Sequence, residues 1–321
     1  MTSVFRILFL CIASISIAVA FPALAQTPGP SKFAEGILLF SSVREGNSDI
    51  YRVAADGSSL VRIATSFSRE LEPCWSPDGA QIVYQSRRPS WALYVASENG
   101  TDERQLTMPV SWSPSWSPDG RWIAYSTGSA IYRISPSGET RERLFSGANC
   151  GRPAWSPQGD ALMFHHTGTG NSEIYILDTE NGDLRQITNH AARDFQATWS
   201  PDGTRLTFAS DRDGDLEIYS IGMDGSGLLQ LTDNDVEDIL PAWSPDGAWI
   251  AFVSTRDGNR EIYLMRPDGT DTYRLTENPG DDMYPAWKPL SDSFPPGDSL
   301  QSVYESTRPR RYSIAAWSWA S

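Results

Sequence analysis

Apolar residues along this chain fall in short, nearly continuous runs. Gln81-Ile82-Val83-Tyr84, Trp122-Ile123-Ala124-Tyr125, Ala161-Leu162-Met163-Phe164, Leu206-Thr207-Phe208-Ala209 and Trp249-Ile250-Ala251-Phe252-Val253 are each bounded by polar turn residues. Runs this short, apolar on both sides, predict strands buried on both faces. A few residues ahead of each stands a near-copy of Trp243-Ser244-Pro245-Asp246-Gly247. The others open at Trp75, Trp116, Trp155 (with Gln158 in the Asp place) and Trp199, and a decayed copy opens at Trp287. The tryptophans are spaced by 41, 39, 44, 44 and 44 residues, which marks a repeat architecture.

Ser-Pro-Asp-Gly suits a type I turn followed by a left-handed glycine, so each copy closes a hairpin. In the copy starting at Trp243, further turns at Arg256-Asp257-Gly258-Asn259 and Pro267-Asp268-Gly269-Thr270 separate a third strand, Glu261 to Met265, from a fourth, Tyr273 to Thr276. Four short antiparallel strands per repeat describe a blade of a β-propeller. The first partial repeat, from Ile37, lacks the tryptophan strand, and Tyr284-Pro285-Ala286-Trp287 supplies one at the other end. The prediction is a six-bladed β-propeller over residues 36–289, closed by pairing the C-terminal strand with the three N-terminal strands. Closure buries apolar blade faces and removes an unpaired edge. The tryptophans read as packing between blades.

The flanks differ from the repeats. Arg6, the apolar run Ile7 to Ala20 and the small residues before Gln26 form a signal peptide, residues 1–25, with cleavage expected after Ala25. The run is shorter than the ~20 residues of a membrane span, so no membrane insertion is expected after cleavage. Residues 26–35 read as a linker and 290–321 as a Ser/Pro-rich tail in which Ser302 to Pro309 resembles the second strand from Ile82. The net charge of −14, or −15 without the leader's single arginine, disfavours nucleic acid and anionic lipid. After cleavage Cys74 and Cys150 remain; two cysteines do not make a disulfide framework, and both pairing and free thiols stay open.

Candidate chemistry is sparse. Five residues before the repeat tryptophan lie Glu70, Asp194, Asp238 and Asp282, with Ser111 and Cys150 in the other two repeats. In a ring these positions surround one mouth of the central channel, where four carboxylates could hold a basic partner residue or Ca²⁺, or simply satisfy local backbone. No other cofactor is called for. Acids before Ile-Tyr (Asp49, Glu173, Glu217, Glu261) follow Arg44, Arg212 and Arg256 by five residues in three cases, which predicts arginine–acid pairing across that hairpin. Asp211 to Asp215 lacks a calcium loop's 12-residue pattern and reads as a plain hairpin. His165 and His166 point to opposite faces of a strand, while His190 leads toward Asp194. No nucleophile elbow, phosphate loop or zinc spacing occurs.

The repeat from Pro241 to Thr276, Pro-Ala-Trp-Ser-Pro-Asp-Gly, Ile-Ala-Phe, Arg-Asp-Gly-Asn, Glu-Ile-Tyr, Arg-Leu-Thr, resembles the WD40-like (PD40) repeat of the TolB family of β-propellers. The resemblance covers the propeller alone: the linker is expected to lead straight into the first strand, without that family's N-terminal α/β domain. It implies a periplasmic or secreted, monomeric, non-enzymatic module that binds a protein partner of the cell envelope through its channel mouth and top loops. The alternative is a carbohydrate-active lyase or hydrolase with a metal or histidine site in the channel, as in the related oligogalacturonate lyases, for which three histidines are few.

Overall fold

The computed structural model describes residues 36–290 apart from 65, 109 and 169; the expected leader, linker and tail lie outside the described residues. All regular structure among the described residues is β. The chain begins with β1 (Ile37–Ser42), β2 (Asp49–Ala54) and β3 (Val61–Ala64), and a second sheet follows from β4 (Glu70–Trp75), β5 (Gln81–Arg87), β6 (Trp91–Ser97) and β7 (Arg104–Gln105). Next come β8 (Trp112–Trp116), β9 (Ile123–Ser126), β10 (Gly128–Ile134), the long β11 (Arg141–Trp155), β12 (Ala161–His166), β13 (Glu173–Asp178) and β14 (Leu184–Gln186). Two further sheets comprise β15 (Asp194–Trp199), β16 (Arg205–Ser210), β17 (Glu217–Gly222) and β18 (Leu229–Gln230), then β19 (Asp238–Trp243), β20 (Ile250–Ser254), β21 (Glu261–Met265) and β22 (Tyr273–Arg274). The last strand is β23 (Asp282–Trp287).

The fold is an all-β propeller. Closure occurs where expected: β23 lies beside β1 in a four-stranded sheet of order β23-β1-β2-β3, with Leu38 opposite Trp287 and Ser42 opposite Asp282. Four of the expected sheets stand as separate four-stranded units. The remaining strands form one seven-stranded sheet, because β11 runs unbroken for 15 residues. Its first part pairs with β10 (Ile131 opposite Phe145) and its last part with β12 (Trp155 opposite Leu162). Elsewhere the corresponding chain is a two- to four-residue outer strand, a loop and a separate inner strand.

Packing between sheets makes the core. Leu39, Ile50 and Ile63 of the first sheet meet Trp75, Ile82, Tyr84 and Tyr94 of the second, and Met163, Ile174 and Ile176 meet Trp199, Leu206 and Phe208. Each inner strand thus inserts its tryptophan against the sheet before it. Burying one such side chain contributes roughly 4–6 kcal/mol of gross transfer energy. Three of the indoles are also hydrogen-bonded across that seam: Trp199 Nε1 donates to Ala154 O (3.0 Å), Trp243 Nε1 to Thr207 Oγ1 (3.0 Å) and Trp287 Nε1 to Ala242 O (3.1 Å). The Nε1 atoms of Trp75, Trp116 and Trp155 are buried with no partner.

The Ser-Pro-Asp-Gly turns hold their predicted shape through the serine. Ser244 Oγ donates to Asp246 Oδ1 and accepts from Trp249 N (2.9 Å), while Gly247, at φ +71°, returns its N–H to Ser244 O (2.9 Å). The same serine–aspartate pairing recurs at Ser76, Ser117 and Ser200.

Candidate functional site

Each inner strand carries a two-residue bulge three positions before its tryptophan. The ladder shifts register between Leu71 and Cys74, Trp112 and Ser115, Gly151 and Ala154, Phe195 and Thr198, and Ile239 and Ala242. The first bulge residue has a left-handed backbone in every inner strand: Glu72 (φ 53°), Ser113 (52°), Arg152 (48°), Gln196 (54°), Leu240 (58°) and Tyr284 (60°). None is glycine, so each position stores of order 1 kcal/mol or more of backbone strain. In all but one inner strand the next residue is proline, which has no N–H to lose in a bulge.

The bulges face the axis. A cavity of about 340 Å³ is lined by Glu72, Ser113, Arg152, Gln196 and Tyr284 together with the residues that follow them and Pro241. Contacts across it join different sheets. Arg152 Nη1 lies 3.4 Å from Glu72 Oε1, and its guanidinium sits 5.4 Å from the Tyr284 ring centroid. Gln196 Oε1 accepts the Leu240 N–H at 3.1 Å. Glu72 Oε2 is buried without a hydrogen-bond partner, and burial, then the Glu72 charge, raises the Tyr284 phenol above its ordinary range. The cavity is therefore crossed by a charged strut between Arg152 and Glu72, while Leu240, the equivalent residue of β19, is buried in the core and leaves Pro241 to line that side. Sequence reasoning missed this ring; the signal was the one position before Pro-x-Trp that changes chemistry in every repeat.

The predicted mouth acids open their inner strands as expected, but their side chains turn away from the cavity. Glu70, Asp194, Asp238 and Asp282 are all fully buried, and none lines the cavity. Each binds an arginine of the neighbouring hairpin in its own sheet: Asp282 with Arg44 (2.9 Å), Asp194 with Arg212 (2.8 Å), Asp238 with Arg256 (2.8 Å) and Glu70 with Arg88. Burial raises the carboxyls of Glu70 and Asp282 against the pull of those arginines. No three His, Cys, Asp or Glu side chains among the described residues stand preassembled around one point. Ser111 and Cys150, in the two remaining places, are buried and neutral.

These pairs correct the hairpin pairing expected for Arg44, Arg212 and Arg256. Each guanidinium lies 4.7 Å from a tyrosine ring (Tyr51, Tyr219, Tyr263), and its Nε donates to a strand-end serine (Ser42, Ser210, Ser254) at 2.8–3.0 Å. Held this way, the arginine points to the inner strand. The acids before Ile-Tyr find partners on the outer side instead: Asp49 binds Arg62 (2.6 Å), Glu261 binds Arg274 (3.0 Å) and Glu173 accepts from Thr188 Oγ1 (2.7 Å).

The histidines do not gather. His165 packs edge-on to Phe195, and burial pushes its imidazole down to about 4, so it is neutral at pH 7. His166 packs against Phe145 and Tyr175, with Nδ1 2.8 Å from Ala148 O. His190 Nδ1 accepts the Ala192 N–H (3.1 Å). Cys74 and Cys150 are free thiols, and burial pushes both up to about 11, far from a reactive thiolate.

A closed array of antiparallel sheets with a substituted axial channel defines a β-propeller built from tandem repeats. The family model for the TolB beta propeller domain matches residues 14–137 and 91–239, and the chain belongs to that family. A TolB homologue from Chlorobium luteolum is 32% identical over 155 residues, 46% of this chain and 35% of that protein. The Tol-Pal system protein TolB of Desulfosudis oleivorans is 28% identical over 127 residues, 38% of this chain and 28% of that one. The chain thus spans about a third of the length of these relatives. The crystal structure of TolB from Acinetobacter baumannii superposes with a TM-score of 0.73 at 22% identity, covering 79% of this chain and 67% of that one, which shows the shared fold.

Proposed function

We propose that this chain is an exported propeller of the cell envelope, periplasmic once its leader is removed, that binds a protein partner through its channel and the loops around the mouth. We count six blades, taking the seven-stranded sheet as two joined through β11. The observation that carries the reading is the ring of left-handed positions. The backbone repeats at each, while the side chains run Glu, Ser, Arg, Gln, Leu and Tyr. Strain retained at these positions, five of which line the cavity with a different chemical group at each, suits recognition of one asymmetric ligand surface. Around the mouth, the half-buried arginines over Glu70, Asp194, Asp238 and Asp282 are the groups a partner meets, and the carboxylates behind them fix their direction. A relative named as a protein of the Tol-Pal system supports a protein assembly as the setting.

A photo-crosslinking residue in place of Gln196, in the full chain expressed in its cell of origin, tests this. We expect one crosslinked protein, lost when Arg152→Glu is added and absent when the crosslinker stands at the exposed turn residue Asn181. No product from position 196, or a product indifferent to Arg152→Glu in a variant that keeps the parent's thermal transition, overturns the proposal.

A further inference from the structure

Eight residues ahead of the repeat tryptophan, five of the loops that enter inner strands carry an exposed residue: Phe67, Met108, Ala191, Asp235 and Pro279. An asparagine from the preceding sheet pins three of these loops. Asn47 Nδ2 donates to Ser66 O and Ser68 O, both at 2.8 Å, and the Ser66 hydroxyl accepts the Ser68 N–H at 3.0 Å. Asn171 holds the carbonyls of His190 and Ala192 on either side of Ala191, and Asn259 those of Asn278 and Gly280 on either side of Pro279. Phe67, between two pinned carbonyls, is turned out of the protein and is 110% exposed. That exposure is built into a fixed backbone rather than left over from a slack loop.

Met108 takes the same place one sheet further on. Its loop is tied down by Gln105 Nε2 donating to Thr107 O (2.7 Å), Ser111 Oγ to Met108 O (3.3 Å) and the Val110 N–H to Trp91 O (2.7 Å). Met108 is nonetheless 77% exposed and Val110 46%. Large apolar side chains displayed in this way mark a contact surface. The exposed Arg69 and Arg87 stand beside them, tied together by the bond from the Arg87 N–H to Arg69 O (3.1 Å). Arg88 takes the nearby acids Glu70 and Glu103, and neither Arg69 nor Arg87 makes an ion pair among the described residues. Residues 107–113 carry no charge, whereas 233–237, in the loop into β19, hold Asp233, Asp235 and Glu237. One arc of the mouth is apolar and basic while another is acidic.

We propose that Phe67, Met108 and Val110, with Arg69 and Arg87, dock this arc of the mouth on a phospholipid surface. Two observations favour a fluid surface over a folded partner. The apolar tips stand on separate loops and none lines the channel cavity, so a folded partner would need a socket for each, whereas a headgroup layer admits both in one plane. Protruding apolar side chains beside unpaired guanidinium groups also have the composition of an interfacial anchor, in which the apolar groups reach the acyl boundary and the arginines stay with the phosphates. The net charge of −14 opposes anionic lipid for the chain as a whole. The acidic loop into β19 therefore stays in water while the Phe67 side makes contact, at headgroup depth and without a span. This goes beyond the protein-binding reading and does not depend on it.

A benzophenone amino acid in place of Phe67, in the full chain, reads the contact at the tip itself. Irradiated with vesicles of phosphatidylethanolamine and phosphatidylglycerol, it is expected to give a phospholipid adduct, as is the same residue in place of Met108. The same residue in place of Asp235, or of the exposed Asn181, is expected to give none. In vesicle co-sedimentation, Phe67→Ser with Met108→Ser should weaken binding by roughly tenfold or more. Arg69→Gln with Arg87→Gln should cost roughly tenfold on these vesicles and little on phosphatidylcholine. Leu228→Ser, at an apolar residue 46% exposed elsewhere, should change nothing. All these side chains are exposed, so each variant is expected to keep the parent's melting temperature. No adduct from position 67, an equal adduct from 235, or sedimentation indifferent to the serine pair overturns the proposal. A dimer that forms without vesicles and is dispersed by the serine pair overturns it in favour of a second copy of this chain. Loss of the partner crosslink from position 196 in the serine pair, with no vesicle binding by the parent, overturns it in favour of a protein contact.

Discussion

Trp155 and Trp199 hold equivalent places and are almost equally buried, at 7% and 8% exposure, yet only Trp199 has a hydrogen-bond acceptor for its indole. Truncation to phenylalanine removes similar area from both and a hydrogen bond from one. Trp199→Phe should therefore destabilise by about 1 kcal/mol more than Trp155→Phe, read from the midpoints of urea unfolding at constant slope. Burial of the tryptophans was legible from the repeat itself. The destination of the arginines was not: Arg44 has a carboxylate five residues away at Asp49 and another on a strand 238 residues distant, and the choice turns on the ring and serine that orient the guanidinium. Sequence spacing carries no information about that rotamer. The same limit explains the mouth acids, whose register position was foreseen and whose turn away from the cavity, onto those arginines, was not.

Strands, turns and their order followed directly from the short apolar runs and the Ser-Pro-Asp-Gly signals, because both are local. The inner-strand bulge was less visible, since an extended x-Pro pair and a left-handed x-Pro pair look alike in one repeat. Its strain can be measured. Ser113 is only partly buried and sits at φ 52°, so Ser113→Gly should relieve more backbone strain than it adds in chain entropy. The expected gain is about 0.5–1 kcal/mol by urea unfolding, and an equal loss would mean the left-handed bulge carries no strain. The length of β11 was also unforeseen. Its first half lacks the Leu/Ile-Thr pair that follows four of the five other outer strands, and the chain continues through Phe145 and Cys150 into the next inner strand.

At the scale of the molecule, closure rests on β23. It pairs with β1, brings Trp287 against the sheet before it and supplies Asp282 to Arg44. A chain ended at Gly280 should lose its cooperative thermal transition or melt more than ~10 °C lower by circular dichroism, because an edge and a buried face are exposed together. An unchanged transition would show that the array does not need its seam. The shared β11 makes one junction unlike that seam. Where Ser113 and Arg152 stand, a single continuous strand hydrogen-bonds into both sheets, while elsewhere neighbours are joined by side-chain packing and isolated backbone bonds such as Asp194 N–H to Ser172 O (2.7 Å). Breathing of the toroid is thereby pushed to the opposite arc, so a guest wedged into the bore would part the Pro241 and Tyr284 flank and leave the Ser113–Arg152 spacing unchanged.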